Sequence, residues 1–249
     1  MIDDVASFGD NASGWLSELR LTETLGSMPD VQIIVIGLVG IALAAYPVTW
    51  QVMGYPVTIA HELGHATAAL LVGYRLDGIT VNGDMSGATN FAGRGAFRML
   101  WTMWWGYPAP AVLGGGLVWA AANGWSRVAL GVLVILLTMT FLYSRSWHTV
   151  GVVLATGLVL GLICWYGSPW AQNAVVFASA WMLIVGSVRA FWTVARLHVT
   201  RDGVENSDAY MMGQRAVLLP GPFWLLTFAA AIGSSAWFGV TRVAGALGV

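Results

Sequence analysis

Tyr55 to Gly73 reads YPVTIAHELGHATAALLVG, an apolar segment interrupted by the run His61-Glu62-Leu63-Gly64-His65. About 20 such residues, wound as a helix, cross the hydrocarbon of a bilayer. Three ionisable side chains inside that length cost several kcal/mol unless they are paired, wet or bound to a metal, so the same stretch that marks a membrane helix also marks a site. On a helix the two imidazoles, four residues apart, stand one turn apart on one face, and Glu62 lies beside that face.

The rest of the chain agrees with a membrane class. Hydrophobic residues make up 57% of the 249, charged residues 9%, and mean hydropathy is +0.72, where a soluble domain carries roughly 25% charged residues. Asp3, Asp4, Asp10, Glu18, Glu23 and Asp30 crowd the first thirty positions. Residues 1–30 therefore read as a polar tail, without the basic start and cleavage site of a signal peptide, and 31–249 as the membrane-embedded domain. Fourteen Trp and seven Tyr suit the lipid–water interface. A lone Cys164 excludes a disulfide framework or a multi-cysteine metal site.

Working outward, seven apolar spans are expected, at about 31–52, 55–73, 103–122, 127–143, 147–167, 173–194 and 220–240. The fold class is thus all-α and polytopic, with about seven transmembrane helices. Ile79-Thr80-Val81, then Asn82-Gly83-Asp84, then polar alternation to Phe91 predict a short β-hairpin after the His-Glu helix. Residues 195–219 form a polar loop. Seven spans put the termini on opposite sides. A cytoplasmic N-terminus then leaves only Arg127 and Arg242 outside, with Arg20, Arg75, Arg94, Arg98, Arg145, Arg189, Arg196, Arg201 and Arg215 inside, the arrangement that positive charge favours. The hairpin and the 195–219 loop share that face, where the site should open.

The metal reading of His61, Glu62 and His65 is chemically direct. Zn²⁺ lowers the pKa of a bound water to about 7, Glu62 takes the proton, and a peptide carbonyl is polarised for attack. The competing reading is a histidine pair satisfied by backbone carbonyls or by Glu62, with no ion. A HExxH run within a span, followed by a hairpin and further spans, resembles the site-2 protease family of intramembrane metallopeptidases. HELGHA at 61–66, GYPAP at 106–110, SVR at 187–189 and NSDA at 206–209 look like its compact bacterial branch. The resemblance implies a zinc endopeptidase, multi-pass in the bacterial cell membrane, that cuts other membrane proteins in or near their transmembrane segments.

A catalytic zinc wants three protein ligands and an open position. After residue 65 the candidates are Asp77, Asp84, His148, His198, Asp202, Glu205 and Asp208. Asp77 and Asp84 precede or occupy turns, His148 sits at a helix start as an interfacial residue, and Asp202 and Glu205 read as solvated loop charges. The choice falls on Asp208, with His198 and His148 as alternatives. The family's third ligand is an Asp in an Asn-Pro-Asp-Gly-like context that this chain lacks, and Asp208 suits an N-cap for a helix starting near Ala209 nearly as well.

Gly106-Tyr107-Pro108-Ala109-Pro110 and Gly114-Gly115-Gly116 mark a broken or closely packed span beside the metal. Ile79 to Val81 offers an edge strand for an extended substrate. Arg75, Arg94 and Arg98 suit lipid headgroups. No nucleic-acid signature is present. The second functional class is a metal-binding membrane protein or transporter that uses His61, Glu62 and His65 without hydrolysis, though no internal repeat supports a transporter. A multi-histidine oxygenase fails on four His.

Overall fold

The computed structural model describes residues 23–216 and 219–249, so most of the predicted N-terminal tail, residues 1–22, lies outside the described residues. The chain is mostly helical: α1 (Asp30–Ala45), α2 (Pro47–Leu71), β1 (Arg75–Val81), β2 (Gly87–Ala92), α3 (Ala96–Trp104), α4 (Pro108–Ala122), α5 (Ser126–Tyr143), α6 (Trp147–Tyr166), α7 (Pro169–Thr200), α8 (Asp208–Arg215) and α9 (Gly221–Leu247). This is the polytopic all-α class, with one two-stranded antiparallel hairpin among the described residues.

Each of the seven apolar segments is helical, but they do not all cross alike. Among the described residues four helices, α5, α6, α7 and α9, are long and apolar enough to span a membrane, and α1 with α2, taken as one span, makes a fifth, bent by 91° at Tyr46. Pro47 at the first helical position fixes that break, because it cannot supply the N–H that would continue α1. Arg189 of α7 holds the bend: its Nη1 donates to the Ala44 and Ala45 carbonyls at 3.1 and 3.0 Å, and its guanidinium lies 4.6 Å over the Trp50 ring. The last turn of α1 thereby gains donors for carbonyls left bare by the break. α4 is shorter.

The bent pair changes the topology expected from seven full spans. Asn173 at the start of α7 donates to Glu23 O and to Ala121 O at the end of α4, and Leu25 belongs to the apolar cluster that includes Leu247. Residue 23 and the end of α9 therefore share one end of the bundle, with the α2 histidines, α8 and the start of α9 at the other. Two more local differences follow. α7 runs on through 195–200, part of the expected loop, and stops only at Arg201 (φ 60°) and Gly203 (φ 69°), whose left-handed backbone ends it. Asp77 lies in β1 at the bulge between Leu76 and Gly78 rather than in a turn, where Arg75 pairs with it at 2.8 Å.

The hairpin runs back along α2. Tyr55 Oη donates to Gly83 O (2.7 Å) and Thr58 Oγ1 to Met85 O (3.0 Å), tying its tip to the helix. β1 is not a free edge: Arg145 N donates to Ile79 O and Val81 N to Thr149 Oγ1 (3.0 and 2.8 Å). The edge expected at Ile79 to Val81 is therefore covered by the α5–α6 connection and the first turn of α6. Asp84 does sit in the turn, where the Ser86 hydroxyl and N–H donate to it and hold its carboxyl below the usual carboxylate range.

Candidate metal centre

Sequence places His61 and His65 on one face of α2, and α8 delivers Asp208 to them. His61 Nε2 lies 3.4 Å and His65 Nε2 3.3 Å from Asp208 Oδ2, and the two Nε2 atoms are 3.1 Å apart. Among the described residues these three make the only group of His, Cys, Asp and Glu whose ligand atoms converge in this way. Zinc–ligand bonds of about 2.0–2.1 Å in a tetrahedron require ligand–ligand edges of about 3.3–3.4 Å. The triangle fits one face of that tetrahedron, and two imidazoles with one carboxylate are a zinc donor set.

Tautomer and orientation are set by the surrounding backbone. His65 Nδ1 donates to Thr102 O at 2.9 Å, so Nε2 carries the lone pair and points at the cluster. Thr102 comes from α3, whose Met103 packs with Ala209 and Met212 of α8 and with Phe228 of α9. One small apolar cluster therefore fixes both the helix that orients His65 and the helix that carries Asp208. Ser207 is the N-cap of α8, its Oγ accepting from Tyr210 N at 3.2 Å. Because the cap is Ser207, the Asp208 carboxylate is left to face the histidines.

Glu62 is buried, 3% exposed, beneath the hairpin. Thr89 of β2 donates to its Oε2 at 2.7 Å. A Cβ at Gly87 would stand 2.2 Å from its Oε1, so only glycine leaves that oxygen room. At Gly106 a Cβ would stand 2.5 Å from His65 Nε2 and 2.7 Å from His61 Cε1. The GYPAP segment thus lies on the imidazoles themselves. The Tyr107 ring stands nearly perpendicular to the His61 ring, centroids 4.7 Å apart, and Ser187 of SVR donates to Tyr107 O at 2.9 Å.

The remaining sequence candidates lie elsewhere. His148 Nδ1 donates to Val81 O and His198 Nδ1 to Val194 O, while Asp202 and Glu205 are exposed. Thr89, Gly87, Thr102 and Ser187 were not singled out by sequence reasoning. Ser187 sat within a motif of the resemblance, but the other three carried no signal beyond local polarity or a turn.

A family model described as peptidase M50B-like matches residues 34–239. No curated protein and no solved structure matches the chain.

Proposed function

Because the chain belongs to the peptidase M50B-like family and is an integral membrane protein, we propose that it is a zinc-dependent intramembrane endopeptidase of the site-2 protease type, with His61, His65 and Asp208 as ligands and Glu62 as general base. The observation that carries this reading is the convergence of three ligand atoms at 3.1–3.4 Å beside a buried carboxylate. Bound zinc supplies the acidity of the attacking water and polarisation of the peptide carbonyl. Glu62 takes the proton of that water as its oxygen bonds to the carbonyl carbon, then gives it to the amine nitrogen as the C–N bond breaks. Thr89 holds Glu62 Oε2, and β2 shields the carboxylate from bulk water.

The substrate class is a membrane protein cut in or near a transmembrane segment, reached within the lipid bilayer. Among the described residues, Arg75, Arg94, Arg98, Arg145, Arg196, Arg201 and Arg215 lie toward the metal end, Arg189 sits at the α1–α2 bend, and Arg127 and Arg242 lie at the other end. That bias favours a cytoplasmic metal end. Because residue 23 shares the opposite end with the end of α9, the same bias puts residue 23 across the membrane, reversing the orientation expected from seven full spans.

Elemental analysis of detergent-purified protein tests the site. Wild type is expected to hold one zinc per chain, lost in His65→Ala and Asp208→Ala, whereas Glu62→Gln keeps the zinc and loses cleavage. Correctly folded wild type that takes up no zinc on resupply sinks the metallopeptidase reading. Zinc bound without cleavage of any membrane-spanning peptide favours the non-hydrolytic metal-binding alternative.

A further inference from the structure

Tyr107 is held by three neighbours, none of which uses its hydroxyl. Pro108 begins α4, so Tyr107 is the residue before a proline and caps the helix with φ −64° and ψ −40°, a backbone that the residue before proline rarely adopts. Ser187 fixes its carbonyl. The ring contacts His61 at 88° and stacks on Phe228, whose centroid lies 5.3 Å away at 26°. Tyr55 and Tyr74, toward the same end of the bundle, direct their hydroxyls to the Gly83 and Gly95 carbonyls at 2.7 and 3.0 Å. The half-buried Tyr107, by contrast, makes no hydrogen bond through its hydroxyl with any described residue. The ring packs on His61, and the neighbouring Gly106 lies against both imidazoles, which puts Tyr107 beside the ligand triangle.

We propose that Tyr107 is a catalytic hydrogen-bond donor, its hydroxyl kept free to donate to the carbonyl oxygen of the scissile peptide as that oxygen gains negative charge. The assignment rests on the peptidase reading above. Water oxygen bonds to the carbonyl carbon, the C=O π pair moves onto the oxygen, and Glu62 receives the proton. The Tyr107 O–H shortens its contact to that oxygen without giving up its proton, and the pair returns to re-form C=O when the C–N bond breaks. A donor aimed at developing charge acts on the transition state more than on the bound substrate. The clamp by Phe228 and Ser187 removes the cost of orienting it during reaction.

Tyr107→Phe keeps the ring and its packing and removes only the hydroxyl. The test uses full-length protein in liposomes with a fluorogenic peptide carrying one apolar span, and a phosphinic analogue of that peptide as a tetrahedral mimic. Expected is a fall in kcat of about 10²–10³-fold with KM within about threefold, and a comparable loss of affinity for the analogue. Zinc content stays at the wild-type value. A kcat within about threefold of wild type, a raised KM with unchanged kcat, or loss of zinc in Tyr107→Phe overturns the assignment, because each describes a binding or supporting role. Zinc-loaded wild type that leaves the peptide intact overturns the peptidase reading and takes this inference with it. Active wild type with an equally active variant overturns the inference alone.

Discussion

One face of α2 presses His61 and His65 against backbone so close that no added carbon fits, whereas another face of the same helix, bearing Tyr55, Ile59 and Leu63, opens on an apolar cavity of about 670 Å³. On the first face a Cβ at Gly64 would stand 2.2 Å from Trp105 O. Across the cavity stands α6, of whose apolar window 11% is buried, against 50% for α7. The difference follows from the solvent. In a bilayer an apolar gap is refilled by hydrocarbon at little cost, so nothing drives α6 closer. A cluster of imidazoles and carboxylates has no such substitute, because each polar group must meet a protein partner or an ion. Tight packing is therefore concentrated where the polar groups are.

The most severe way to break the contrast is Gly106→Ala. The new methyl would stand 2.5 Å from His65 Cε1 and Nε2, and neither ring can retreat: one is held by Thr102 and the other by Tyr107. Zinc affinity is expected to fall by about 100-fold, on the scale of lost ligand orientation and overpacking. Competition with a fluorescent zinc chelator measures it, and unchanged affinity would mean that the imidazoles are free to move. Thr89→Val is the next test. It removes the hydroxyl from the Glu62 carboxylate while keeping the branched shape of a strand residue. Hydrogen bonds to charged groups are worth about 1.5–3 kcal/mol, so kcat should fall about tenfold or more with zinc retained. Equal activity would show that Glu62 is placed by the helix and Gly87 alone.

The contrast also explains what was legible in the sequence. His61, Glu62 and His65 are four residues apart at most and on one helix, so their juxtaposition is a property of helical geometry that any reader of the chain can compute. The hairpin announced itself through Asn82-Gly83-Asp84. Asp208 had to be chosen among scattered acids, and its approach to the histidines turns on a detail of one residue: Ser207 takes the capping role that would otherwise occupy Asp208. Thr89, Thr102, Tyr107 and Ser187 meet the α2 site only through tertiary packing, across gaps that no periodicity spans. The bend at Tyr46 was hidden for another reason. Hydropathy registers two apolar segments on either side of Pro47 and is blind to the angle between them, and that angle decides which end of the bundle residue 23 shares with α9.

The smallest expected effect sharpens the comparison from the slack side. Gly151 lies on α6 and lines the cavity, and a Cβ there would meet nothing within 4 Å. Gly151→Ala therefore adds a methyl group to open, apolar space and removes a flexible residue from a helix interior, a change worth up to about 1 kcal/mol in favour of the helix. Zinc content and kcat are expected to stay within about twofold of wild type, with thermal stability equal or slightly raised. The same substitution chemistry that is ruinous at Gly106 is then harmless at a glycine on the facing helix. If Gly151→Ala instead slows cleavage while zinc is retained, the open space beside α2 is used in the reaction, and the apparent looseness of α6 is a functional clearance that the substrate's apolar segment needs.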